Sequence, residues 1–368
     1  MVVATEFLLY ISFALLVGGL LSYVIPSEKM PQIDVPQKLL VFCAAAVPVF
    51  AFAPILRIFL ILSEGRSELW VRFKSILFSF EIGKAWLFML AVGILLVLLL
   101  AFNDLKKSAP LAQVACFLTL LLILAQGKAG HASTITAISG FVAHSLHFLA
   151  VMIWAGLLFT AGWFSHGKDW RSFLRWFTPL AVVCFIVLTA AGFWTMTIDI
   201  NNYDHRSVSI WYEYKNSWLV DYGQALLIKH LLVIPLLVFA FLNGFLLKGR
   251  ENARKIARIE GLVILLIFAV TGFMGQQYPP HQVQSLLAQG GPSPLFNAVY
   301  QGVIDPAMTV TLSFGWLSYI LFAFALIFIG LMILSVRKNA AGLFSFLLGL
   351  LVVGSGYLGL MLGVHGIT

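Results

Sequence analysis

The run Ser139–Phe164, SGFVAHSLHFLAVMIWAGLLFTAGWF, contains no Asp, Glu, Lys or Arg in 26 residues. As a helix rising about 1.5 Å per residue, it is long enough to cross the roughly 30 Å hydrocarbon core of a bilayer. The same run holds two histidines, His144 and His147, three positions apart. That spacing puts them one turn apart on one helical face, separated by about 60° around the axis.

Reading outward, comparable apolar runs occupy residues 3–24, 39–62, 84–102, 111–127, 174–198, 222–247, 256–275, 310–335 and 342–364. A composition of 61% hydrophobic and 10% charged residues, with a mean hydropathy of +0.98, excludes a chain that folds against water. The expectation is an all-α polytopic transmembrane bundle of about ten helices with no separate soluble domain. The formal charge of +8 would point to nucleic acid in a soluble protein, but here the basic residues sit between spans and orient them. No nucleic-acid partner is expected, and lipid is. The three cysteines, Cys43, Cys116 and Cys184, all lie in apolar runs without a CxxC spacing and read as packing residues. The run after Glu6 is too long for the apolar part of a signal peptide and reads as a first span.

The connectors 26–38, 103–110, 166–175, 248–258 and 337–339 alternate with the others and hold fourteen of the 23 Lys and Arg residues. The positive-inside rule assigns them to the cytoplasm and both termini to the outside. The connector 63–84 departs from the rule, with Arg66, Arg72, Lys74 and Lys84, but Glu64, Glu68 and Glu81 accompany them. Two external connectors are long. Residues 199–221 interleave Tyr203, Trp211, Tyr212, Tyr214 and Trp218 with acids, a pattern of the headgroup level. Residues 276–308 are broken by Pro279, Pro280, Gly290, Gly291, Pro292 and Pro294, hold no Lys or Arg, and read as a lid or as a passive linker.

On this topology six of the eight histidines fall at or near the outer face: His131, His144, His147, His205, His281 and His365. Imidazole is the commonest neutral metal ligand, so a one-sided set points to a metal handled there. With a span beginning at Ser139, His147 lies roughly 10 to 12 Å below the outer surface, where a polar side chain needs a partner or a watered cavity. The plainer alternative has His144 capping the helix and His147 bonding a neighbouring helix. Met196, Met274, Met308 and Met361 lie towards the same face, and thioether with imidazole suits Cu(I) or a Cu(I)/Cu(II) carrier. Each of these methionines alone reads equally as packing. Glu6 reads as a hard ligand, a proton acceptor or an interfacial charge. Lys229 reads either as the partner of a counter-charge such as Glu6 or Glu81, or as snorkelling to the headgroups. His230 is expected at the depth of His147, which opens a bis-histidine haem b site as an alternative.

The order Gly130-His131-Ala132, then HSLHFLAVMIWAG, then Tyr222-Gly223-Gln224-Ala225-Leu226-Leu227-Ile228-Lys229 resembles the CopD copper-resistance family, as does Phe80-Glu81-Ile82-Gly83-Lys84-Ala85-Trp86-Leu87. The resemblance covers residues 1–275 as an eight-helix core, followed by an external cap at 276–309 and two additional spans at 310–368. It implies a multi-pass protein of the bacterial cytoplasmic membrane that moves copper or receives it from a separate CopC-like carrier. Carried over by position, His131, His144 and His147 are the matching ligands, with His281, Met274, Met196 and His365 as further candidates. The chain departs from the family pattern at Tyr10, where members often carry a histidine, and in its last two spans, which could complete the site through His281 or His365.

The expected function is copper transport, most simply import, with no Walker A motif or phosphorylatable Asp motif to supply energy. The alternatives are a haem b redox enzyme using His147 and His230, and a non-transporting receptor or assembly scaffold for a copper carrier.

Overall fold

The computed structural model describes residues 2–65, 67–166, 170–203, 209–246, 252–280 and 283–367. Among them are ten helical segments long and apolar enough to span a membrane, so the all-α polytopic reading holds. The chain divides into two compact units, residues 1–199 with 248–254, and residues 200–247 with 255–368.

The first unit contains α1 (Val2–Val24), α2 (Gln37–Ala51), α3 (Ala53–Ser63), α4 (Leu69–Ser79), α5 (Glu81–Phe102), α6 (Ala109–Ala129), α7 (His131–Ile135), α8 (Ser139–Phe164) and most of α9 (Trp170–Tyr203). One span is split between α2 and α3. Pro48 and Pro54 remove two backbone donors there, and Trp86 Nε1 donates to the Pro48 carbonyl at 2.8 Å. Helices α1 and α8 run parallel in backbone contact: a Cβ on Gly18 would lie 2.0 Å from the Gly156 oxygen. Small residues that let backbones approach are what hold helices together where lipid is as apolar as the side chains.

Three connectors meet at one end of this unit. Asp34 N donates to Phe164 O at 3.0 Å, His166 N to Gln32 O at 2.8 Å, and Trp176 Nε1 to Lys29 O at 2.7 Å. Lys106 pairs with Asp34, whose carboxyl it holds below the usual range. At the other end Glu81 accepts from Lys84 at 3.0 Å and pairs with Lys128 at 3.3 Å. The expected alternation of connectors is thus present in the packing. Glu81, one of the counter-charges weighed for Lys229, is thus paired with two cations of its own unit. The connector 63–84 also contains α4, a helix absent from the sequence reading, with Trp70 and Phe78 exposed and Lys74 Nζ 5.2 Å from the Trp70 ring.

The second unit contains α10 (Ile210–Ser217), α11 (Asp221–Phe241), α12 (Ala253–Met274), α13 (Val283–Gly290), α14 (Pro294–Val299), β1 (Thr309–Leu312), α15 (Trp316–Arg337), α16 (Gly342–Met361) and β2 (Val364–Ile367). The expected ninth span from 310 and tenth span to 364 need correction at these ends. β1 and β2 pair antiparallel, from Thr309 opposite Ile367 to Leu312 opposite Val364. Short apolar β-branched runs beside a span read as its continuation, because periodicity cannot separate the two. Both long connectors carry structure. Trp218, Leu219, Val283, Leu287, Phe296, Met308 and Val310 form one buried cluster with Leu227, Tyr357, Met361 and Val364. Asn216 Oδ1 accepts from Val310 N at 2.7 Å, and Ser293 N donates to Leu219 O at 2.8 Å.

Candidate metal centre

The Gly130-His131-Ala132 motif sits where α6 ends and the short α7 begins. Gly130 has an ordinary extended backbone (φ −72°, ψ 153°), so its need for glycine is spatial and not conformational. A Cβ there would lie 1.7 Å from Nδ1 of His144. The imidazole of His144 thus rests on the backbone that joins α6 to α7. One turn away on α6, a Cβ on Gly127 would lie 2.0 Å from the hydroxyl of Ser145, which is buried without a hydrogen-bond partner among the described residues. Gly140 likewise packs on the Ala132 carbonyl, which folds α7 back onto α8.

His147 is held from α9. Its Nδ1 lies 3.0 Å from the Leu188 carbonyl, and a Cβ on Gly192 would lie 3.5 Å from the ring. A carbonyl only accepts, so Nδ1 carries a proton, and in the neutral form of the ring the lone pair is on Nε2. A backbone carbonyl on the remote ring nitrogen is the usual outer support of a metal-bound imidazole. Trp154 meets Phe185 with ring centroids 6.3 Å apart, so α9 runs antiparallel to α8. Met196 is four residues beyond Gly192, which puts it on the same side of α9 and about one turn further out, level with His144.

Tyr10 meets Phe148 edge-on at 6.0 Å, and Phe13 meets it at 5.1 Å. Together with the Gly18 and Gly156 contact, this register puts Glu6 at the level of His144. The Tyr10 hydroxyl donates to Glu6 Oε2 at 3.3 Å. Tyr10, the departure from the family pattern, therefore lies beside the histidine face and bears on Glu6. His131 heads α7 with its outer side exposed; protein covering the rest of the ring lowers its pKa, which favours the neutral form.

The sequence reading expected one outer set of ligands. His131, His144, His147 and Met196 belong to the first unit, and the remaining described candidates belong to the second. Among the described residues no group of three or more His, Cys, Asp or Glu is arranged to hold a metal ion. In the second unit His365 is exposed on β2 with Nε2 3.2 Å from the Ser313 carbonyl. His230 is exposed on α11, with Nδ1 2.9 Å from the Tyr214 hydroxyl. Met274 is half-buried near the end of α12. Met361 is buried, its sulfur 3.7 Å from Gln224 Nε2, and Met308 is buried under Gly366, so both serve the core. His205 and His281 lie outside the described residues. For the haem alternative, His147 and His230 sit in different units, each with Nδ1 already engaged.

A multi-pass helical membrane protein with two imidazoles on one face of a span, one of them oriented by a backbone carbonyl, is the class that this fold and face define. Residues 1–141 match the family model described as copper resistance protein D-like, N-terminal domain. The matched part includes Gly130 and His131 and stops short of His144. No curated protein and no solved structure matches the chain.

Proposed function

We propose that this chain carries copper across the cytoplasmic membrane of a bacterium, most simply inward, and that the ion is taken up at the outer face on His144 and His147. The observation that carries the reading is the contact of His147 Nδ1 with the Leu188 carbonyl, which orients the ring one turn below His144 in a chain whose residues 1–141 match a copper resistance protein D-like model. Met196 supplies a soft donor at the same level, and the thioether with two imidazoles suits Cu(I). Copper is cargo here, so the site must bind it and release it. Ligand exchange with a separate CopC-like carrier outside, and with an acceptor inside, provides direction; metal binding to neutral imidazole also competes with protons. His131, at the outer rim, is suited to first capture. His281, Met274 and His365, on or near the external segments of the second unit, remain candidates for receiving the ion from a carrier.

The test is copper accumulation by cells expressing the wild-type chain or His144→Ala/His147→Ala at equal membrane levels. Loss of copper-dependent accumulation in the double variant supports transport. Unchanged accumulation removes it. A receptor that binds a carrier without moving metal shows partner binding but no flux in liposomes, and a haem b protein shows a Soret band on purification.

A further inference from the structure

Glu260 is an acid inside a membrane span that the copper site does not use. It lies seven residues into α12, about 10 Å along the helix axis, and is 2% exposed among Ile256, Ala257, Val263 and Ile264. Its Oε1 accepts a hydrogen bond from Asn243 Nδ2 at 3.0 Å. No ion pair among the described residues includes it. Asn243 belongs to the segment Leu242–Leu246, where α11 widens into a π turn, a local distortion frequent at functional positions.

Of the described charged neighbours on α12, Arg254 Nε donates to the Gly162 carbonyl at 3.2 Å. Lys255 Nζ is committed to Asn339 Oδ1 at 3.2 Å and to the Ala340 carbonyl. Arg258, two residues before Glu260, leaves the helix about 200° round from it and is exposed. From the facing segment, Asn243 Nδ2 is the donor to the carboxyl. With no ion pair to it among the described residues, burial favours the neutral acid, with its proton on Oε2, as the resting form. An amide donor serves the acid's carbonyl oxygen and the carboxylate equally, so the Asn243 contact survives either state. A glutamine would make the same contact. What the carboxyl adds is the capacity to release and rebind a proton.

We propose that Glu260 is a proton-exchange site in the second unit, at the end that carries the basic connectors 248–258 and 337–339. The O–H bond at Oε2 breaks heterolytically, the proton passes to water at that end, and the carboxylate is later reprotonated; no electrons are transferred. Any use of this proton in moving cargo rests on the transport reading above.

The test uses the full-length protein. Dicyclohexylcarbodiimide captures protonated carboxyls in apolar surroundings, and the expected result is an adduct on the peptide bearing Glu260. Its yield should fall about tenfold per pH unit on the alkaline side of the titration. Glu260→Gln should carry no adduct on that peptide. In proteoliposomes supplied with Cu(I) and an enclosed pH dye, wild-type copper entry should be accompanied by proton exit. E260Q, with its helicity checked, should lose at least about tenfold of the proton signal. Absence of the adduct at every pH overturns the proton site, as does an unchanged proton signal in E260Q. Labelling of Glu260 with no copper entry in the wild type overturns the transport reading and leaves the proton site standing.

Discussion

The imidazole of His144 lies on the backbone of Gly130, so close that a methyl group at position 130 would come 1.7 Å from Nδ1. The backbone at Gly130 is one that alanine adopts freely, so Gly130→Ala acts through volume alone. Overpacking of this kind costs about 1–3 kcal/mol. The ring must move, and copper affinity should fall towards that of His144→Ala while helicity stays unchanged. Copper titration against a competing chelator checks this; wild-type affinity in G130A would mean that the position of His144 is irrelevant to binding.

His147 offers a cleaner separation of support from ligation. The amide nitrogen of asparagine sits near the place of Nδ1, so His147→Asn should keep the hydrogen bond to Leu188 O and lose the Nε2 lone pair. The expected result is a melting temperature near wild type with copper affinity down by more than about 100-fold, beyond what loss of an outer-shell contact produces. His147→Ala should lose the affinity and also about 0.6 kcal/mol of stability, the usual worth of a hydrogen bond between membrane helices. Retained affinity in H147N would show that Nε2 is not the donor atom.

The ten spans were legible because apolar runs of span length with few charges leave little choice, and the alternation of basic connectors recovered which ends of the first unit lie together. The strands Thr309–Leu312 and Val364–Ile367 were not, since four residues next to a span are too few to show a distinguishing period. Glu260 was hidden for a related reason: it follows Arg254, Lys255 and Arg258, and in sequence it reads as part of a charged helix start, while only packing reveals that it alone is buried. The histidine pair was visible from its three-residue spacing. Its supports, Gly130 and Leu188, were not readable as such, because a carbonyl and a missing side chain carry no chemical signature in sequence.

The α1 and α8 crossing should be intolerant of bulk. A Cβ on Gly18 would meet the Gly156 oxygen at 2.0 Å, and one on Gly156 would meet the Ala14 oxygen at 2.5 Å. Gly18→Leu cannot be absorbed by a rotamer change, because the obstacle is backbone. It should cost about 3 kcal/mol or more and show as loss of folded yield in detergent. A monodisperse G18L protein with a wild-type melting point would contradict the crossing.

In the second unit, the Tyr357 hydroxyl donates to Gln224 Oε1 at 2.6 Å, and Gln224 Nε2 donates to Trp218 O at 2.6 Å. Tyr357→Phe leaves a buried amide oxygen short of its donor. A loss of about 0.6–1.7 kcal/mol is expected in thermal melting, with copper content unchanged because neither side chain is one of the proposed ligands.

The pair of Asp34 and Lys106 predicts a weak acid dependence. Lys106 holds the Asp34 carboxyl below its unfolded value, so the stabilisation is present above the ordinary carboxylate range and is lost as pH falls through the folded pKa. Both side chains are largely exposed and screened by salt, so Asp34→Asn should flatten only a small part of the acid slope of melting temperature. A large acid-side shift in D34N would mean that this connector bears more of the fold than its exposure allows.

Metal analysis of the purified protein, loaded with Cu(I) under reducing conditions and washed, puts the account at most risk. Wild-type chain should retain copper in fixed proportion to protein, and His144→Ala/His147→Ala should retain none above background. Equal copper in the two proteins would place the metal elsewhere and contradict the assignment of His144 and His147.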